Sequence, residues 1–106
     1  MDDQPTISTH LLDVEHGWPA RGIKVSLFKV VPGGDRLAGE ATTDEDGRVN
    51  RLVAGELEPA DYRIEFAIDG PFFTVGSFTF HVRDATRSYH VPLLVAPYSL
   101  GTYRGS

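Results

Sequence analysis

Residues 62–69 alternate without interruption. Tyr62, Ile64, Phe66 and Ile68 fall on one side, and Arg63, Glu65, Ala67 and Asp69 on the other. A period of two over that length is the signature of a strand with one buried face, and no helix reproduces it. The rest of the chain is cut into pieces of similar length by turn-forming clusters at 16–19, 32–35, 44–47, 58–61, 69–71 and 83–85, rich in Gly, Pro and Asp. Short apolar segments between such closely spaced turns predict a β-sandwich or barrel. Further strands are expected at 7–14, 23–31, 37–43, 48–53, 76–83 and 88–95, for about seven or eight in all and little or no helix. Pro92 interrupts the last of these. Proline cannot donate to a ladder, so that segment is expected at a sheet edge or with a bulge rather than as a central strand.

At 106 residues the chain has room for one domain, expected to span 1–106 with residues 1–5 a flexible start. The net charge is −5, with 10 basic and 15 acidic residues and no basic stripe, which argues against nucleic acid as a partner. No apolar run approaches the roughly 20 residues that span a bilayer, so no membrane partner is expected. The acidic, polar start Met1-Asp2-Asp3-Gln4-Pro5 does not read as a signal peptide. With no cysteine in the chain, disulfides, thiolate metal sites and cysteine nucleophiles are excluded, and a cytoplasmic location is the expectation.

The chemistry available is that of histidine and arginine. A lone histidine is more often a surface or satisfied core residue than a catalyst. His16, in a Gly/Pro turn, and His81, facing away from Phe78, Phe80 and Val82, keep that reading. His10 and His90 stand apart, each beside strong strand formers in a segment expected to be well ordered. Imidazole titrates near neutral pH and is the natural general base there. Arg48 follows the turn Asp44-Glu45-Asp46-Gly47 and opens a strand, so its head group can project from the sheet rim. Taken alone it reads more readily as a surface arginine than as a catalytic one. Two imidazoles and a guanidinium suit hydrolysis of a polarised carbonyl, one group activating water and another stabilising the developing oxyanion. No phosphate-binding glycine loop, Gly-x-Ser-x-Gly elbow or His-Glu-x-x-His motif is present. The chain ends on Tyr103-Arg104-Gly105-Ser106, directly after an apolar stretch, where a fraying tail would be polar and featureless.

Three stretches in this order resemble the 5-hydroxyisourate hydrolase family, transthyretin-like enzymes of purine degradation. They are Ile7-Ser8-Thr9-His10-Leu11-Leu12-Asp13 with Gly17-Trp18-Pro19-Ala20, then Thr43-Asp44-Glu45-Asp46-Gly47-Arg48, then Tyr89-His90-Val91-Pro92-Leu93-Leu94 with the terminal Tyr103-Arg104-Gly105-Ser106. The resemblance covers nearly the whole chain. It implies an all-β, transthyretin-like two-sheet sandwich. It places the catalytic groups on His10, Arg48, His90 and Ser106. Substrate binding falls to His10, Arg48 and His90 with Tyr103, Arg104, Gly105 and Ser106. The implied reaction opens 5-hydroxyisourate to 2-oxo-4-hydroxy-4-carboxy-5-ureidoimidazoline on the route from urate to allantoin. The implied assembly is a homotetramer, a dimer of dimers with sites at the dimer–dimer interface.

Two departures from the family stand out. Many members carry His-Tyr-His where this chain has Ser88-Tyr89-His90, which leaves too few histidines for a zinc cluster. No metal and no cofactor is expected. Asp69-Gly70-Pro71 occupies the place of a short helix common in the family, and as turn chemistry it predicts that the helix is absent. Two other readings remain: a transthyretin-like carrier of a small ligand without turnover, and a structural sandwich module for protein contacts.

Overall fold

A computed structural model describes residues 4–105. Ser106 and the first three residues of the expected flexible start lie outside them. The strands are β1 (Ile7–Asp13), β2 (Trp18–Pro19), β3 (Lys24–Val30), β4 (Arg36–Thr42), β5 (Arg48–Val49), β6 (Ala60–Ala67), β7 (Val75–Val82), β8 (Tyr89–His90), β9 (Leu93–Ala96) and β10 (Ser99–Thr102). The described residues contain no helix, and none long and apolar enough to cross a membrane.

Two sheets face each other. One runs β4-β3-β6-β7, antiparallel throughout. The other is built around β1, which pairs in parallel with β8 and β9 on one side and antiparallel with β5 and β2 on the other, while β10 closes the far edge against β9. The alternation of β6 is the packing rule of the first sheet. Tyr62, Ile64 and Phe66 are buried in the sandwich, and Arg63 and Glu65 face out, where the Arg63 guanidinium pairs with Asp35 and Glu65 and lies over the Phe28 ring. The second sheet contributes Ile7, Leu11 and Leu93, all fully buried. Each such side chain is worth about 1.5–3 kcal/mol when taken out of water.

Several elements differ from the sequence reading, each for a local reason. The strand expected at 48–53 ends at Val49. Leu52 and Val53 are both buried, and no strand puts adjacent side chains on one face. The chain instead turns inward and crosses between the sheets, with Leu52 N–H donating to the Ile7 carbonyl and Ala54 N–H to that of Ala38. β6 begins at Ala60, inside a segment with turn chemistry, because Ala60 and Asp61 find ladder partners in Val82 and His81. β2 and β10 carry no alternation long enough to be seen.

Pro92 does not put its segment at an edge. The segment runs through the interior of its sheet, between β1 and β10, and the proline only divides it into β8 and β9. Ser8 pairs with His90 and Leu11 with Leu93, so register is kept across the break. Side chains bridge the gap: the Thr9 hydroxyl donates to the Val91 carbonyl at 2.6 Å and the Thr102 hydroxyl to that of Pro92 at 2.8 Å. At 69–71 a tight loop replaces the family helix, as the turn chemistry predicts. Ile68 and Asp69 N–H groups both donate to the Thr74 carbonyl, and Asp69 takes a positive φ of 51°.

Candidate active site

The candidate site lies on the outer face of the β1 sheet. In β1 the residues Ile7, Thr9 and Leu11 point into the core, so Ser8 and His10 must point out. His10 stands opposite Arg48 across the β1–β5 ladder, and Ser8 stands opposite His90 across the β1–β8 ladder. One central strand therefore brings together side chains that are far apart in the chain.

The turn before Arg48 explains how that arginine reaches the site. The Asp44 carboxylate accepts the N–H groups of Asp46 and Arg48, each at 2.9 Å, and the Asp44 carbonyl accepts Gly47 N–H. Gly47 has a φ of 73°, and its carbonyl accepts Leu11 N–H at 2.8 Å. A β-carbon there would sit 2.5 Å from the Leu11 carbonyl oxygen, so only glycine lets the turn close onto β1. Asp44 and Gly47 thus fix Arg48 at the strand's edge with its head group exposed.

His90 is half-buried and held from two sides. Its Nδ1 lies 2.8 Å from Ser8 Oγ. Its carbonyl accepts Gly105 N–H at 2.7 Å, an isolated bridge that seats the end of the chain beside it. A β-carbon on Gly105 would meet His90 Cδ2 at 2.6 Å, so the backbone passes flush against the imidazole. Burial lowers the His90 pKa below the ordinary histidine value, and the Arg48 and His10 charges lower it further. A ring that resists protonation is suited to accept a proton from water near neutral pH. Ser8, Arg48, Ser88, Tyr89, His90 and Gly105 line a cavity of about 370 Å³, open to solvent, and among the described residues no aspartate or glutamate side chain is in its wall.

The sequence profile of the HIUase/Transthyretin family matches residues 7–105. The chain belongs to that family. It is 42% identical to the 5-hydroxyisourate hydrolase of Caulobacter vibrioides, over 94% of this chain and 97% of that one. It is 36% identical to that of Deinococcus radiodurans, over the full length of both. The solved structure of Klebsiella pneumoniae 5-hydroxyisourate hydrolase superposes with a TM-score of 0.84 at 30% identity, covering 96% of this chain and 99% of that one.

Of the residues to which the family resemblance assigns roles, Arg48, His90 and Gly105 share the cavity, and His10 adjoins it through Arg48. Tyr103 and Arg104 are placed differently. Tyr103 is exposed and lines a separate apolar hollow with Phe78, Phe80 and Val91. The Arg104 guanidinium lies 4.7 Å from the centroid of the Tyr89 ring, and the residue also flanks a small recess with Arg87, Ser88 and Gly105. Ser106 lies outside the described residues. Ser88, in place of the family's frequent histidine, accepts Thr6 N–H at 3.0 Å and so braces the start of β1. Among the described residues, the carboxylates and histidine close enough to share an ion are Asp13, Glu15 and His16, on the exposed turn after β1.

The sequence reading missed Ser8. It precedes His10 by two residues and so shares its face, but alternation within one strand does not say which strand lies alongside. Only the β1–β8 pairing puts its hydroxyl on His90.

Proposed function

We propose that this chain hydrolyses 5-hydroxyisourate to 2-oxo-4-hydroxy-4-carboxy-5-ureidoimidazoline, a step of urate degradation, and that it does so in the cavity between β1, β5 and β8. The observation that carries this reading is the meeting of Arg48, His90 and Gly105 around one open cavity, with His10 in register beside Arg48. Its support is the chain's full-length similarity to 5-hydroxyisourate hydrolases.

In this reading a water molecule enters between His90 and a ring carbonyl of the substrate. His90 takes a proton from the water as its oxygen adds to the carbonyl carbon. The Arg48 guanidinium holds the electron-rich heterocycle and offsets the charge that gathers on the carbonyl oxygen. The ring C–N bond then breaks, and the leaving nitrogen receives the proton from the imidazolium. The new C–O bond ends as a carboxylate. His10, half-buried beside Arg48, orients substrate and completes the proton relay. Tyr103 and Arg104 anchor the tail so that Gly105 stays against His90. Ser106, to which the family resemblance assigns a catalytic part, completes the set. Assembly as a homotetramer that closes the cavity with a second copy extends the proposal, and the cavity's open side supports it. The cysteine-free sequence fits a cytoplasmic setting.

The test is the decay of freshly generated 5-hydroxyisourate, followed by absorbance with and without the protein and with His90→Ala. Acceleration by the wild type and its loss in the variant are expected. Decay at the spontaneous rate with the wild type would overturn the reading.

A further inference from the structure

We propose that Ser8 is a positioning residue for His90: its hydroxyl oxygen accepts the Nδ1 proton of the imidazole and so presents a bare Nε2 to the cavity. The proposal rests on the hydrolytic reading of the site above, and it adds a residue for which no role was assigned.

The geometry leaves two ways to write the 2.8 Å contact between Ser8 Oγ and His90 Nδ1. If the hydroxyl donated, Nδ1 would be the acceptor, the neutral ring would carry its proton on Nε2, and the nitrogen facing the cavity could take no proton from water. If the hydroxyl accepts, Nδ1 carries the proton and Nε2 is free. The second arrangement also survives the reaction. When Nε2 gains a proton the imidazolium still needs an acceptor at Nδ1, and Ser8 Oγ is already there. No hydrogen bond has to be rebuilt during turnover, which is what preorganisation means at a proton-transfer site.

Ser8 is well placed to enforce this. Its neighbours Ile7 and Thr9 are buried to 0% and 1% exposure, so its backbone cannot drift. Its carbonyl accepts Val91 N–H at 2.9 Å, which ties β1 to the chain directly after His90. The opposite side of the ring abuts the Gly105 backbone. The imidazole is thus clamped between a hydroxyl at Nδ1 and a peptide at Cδ2.

A serine does something here that a carboxylate would not. Aspartate at such a position fixes the same tautomer but stabilises the imidazolium, and the basic form then persists only at higher pH. A neutral hydroxyl orients the ring without that bias. Among the described residues, the charged and titratable groups facing His90 are Arg48 from β5 and His10 from β1, with Arg104 of the tail beyond Gly105, and none of these is an acid. Burial and the neighbouring charges disfavour the charged form of His90, and in this proposal Ser8 holds the single proton of the neutral ring at Nδ1.

The test combines a tautomer measurement with kinetics on the full chain. Nitrogen-15 chemical shifts of His90, assigned by their loss in His90→Gln, are expected to show Nδ1 protonated and Nε2 bare in the neutral wild type. Ser8→Ala is expected to abolish that preference and to lower kcat about tenfold, the worth of one oriented neutral hydrogen bond, with KM nearly unchanged. Ser8→Thr keeps an oxygen at the same place on a strand that favours β-branching, and should restore both tautomer and kcat. Protonation at Nε2 in the wild type, or an unchanged kcat in Ser8→Ala, would overturn the proposal. Should Ser8→Ala fail to fold, the wild-type tautomer and the Ser8→Thr rate still decide. The nuclear shifts are read without substrate, so a failure of the hydrolytic reading shows as an inactive wild type and stays separate from a failure of the Ser8 assignment.

Discussion

His90 in the sheet and His16 on the turn after β1 each make one hydrogen bond at Nδ1 of almost the same length, 2.8 Å from Ser8 Oγ and 2.9 Å from Asp13 Oδ2, with Glu15 Oε1 a further 3.7 Å neighbour of His16. Their titration runs in opposite directions. The Asp13 hydrogen bond raises the His16 pKa above the ordinary value, while burial with Arg48 and His10 lowers that of His90. One contact geometry serves two ends. On the turn it makes an ion pair that ties the loop, where Asp13 also accepts the N–H groups of Glu15 and His16 and the imidazole stacks on Trp18. On the sheet it orients a ring and leaves it neutral. The lesson is that orientation and charge are separate controls on a histidine, and the chemical class of its partner sets whether they travel together.

The sharpest way to break that contrast is by deletion. His90→Ala and Arg48→Ala are each expected to lower kcat/KM by about 10²–10⁴, the range typical of a lost general base or oxyanion-stabilising group. His16→Ala should leave kcat/KM as it is. Steady-state kinetics on the three variants decides the matter. A His16→Ala loss as large as that of His90→Ala would end the assignment of separate duties.

Next in size is the effect of crowding the ring. Gly105→Ala introduces a β-carbon at 2.6 Å from His90 Cδ2. Either the imidazole or the tail must move, and about a tenfold drop in kcat is expected for a displacement of that order. Thermal stability should change little, since the residue is half-exposed and outside the core. A fully active Gly105→Ala protein would show that the tail is free to withdraw.

A smaller effect separates the histidines by pH. Because the folded protein lowers the His90 pKa, His90 stays neutral at a pH where free imidazole is already charged. The acidic limb of kcat/KM should therefore lie below about pH 6.5, the unperturbed histidine value. Replacing Arg48 by Gln removes one of the charges that oppose protonation, so a nuclear magnetic resonance titration of His90 should move up in that variant. A limb above pH 7, or a downward shift in Arg48→Gln, would contradict the electrostatics described for the site.

Much of this was legible from the chain alone, and the boundary is physical. Alternation at 62–69 foretold the buried face of β6 because it is a property of one strand. Asp44 and Gly47 foretold a tight turn that delivers Arg48, since their bonds are local. What local pattern does not carry is the partner. Pro92 suggested an edge, yet β8 and β9 lie inside their sheet because Thr9 and Thr102 side chains serve the interrupted ladder. Leu52 and Val53 read as strand because they are apolar, yet they cross between the sheets. Ser8 was silent for the same reason: its role depends on which strand β1 meets. His10, Arg48 and His90 were visible as chemistry, and the family resemblance gave them roles, but their meeting on one face is a fact of sheet pairing.

The smallest expected effect is on the turn, and its sign is the test. A histidine whose folded pKa is raised stabilises the fold while it is charged in the folded state. The pair His16–Asp13 should therefore contribute at pH below about 6.5 and fade as pH rises through the raised folded value. From the acid side it fades again as pH falls through the lowered Asp13 value. The difference in Tm between the wild type and His16→Ala should follow that window. It should shrink with added salt, because both groups are solvent-exposed and the pair is screened. The stacking of His16 on Trp18 at 4.8 Å leaves a remainder indifferent to pH. A difference that instead grew between pH 7 and 9 would mean that the imidazole stabilises the turn as a neutral ring, and the opposition between the two histidines would lose its electrostatic half.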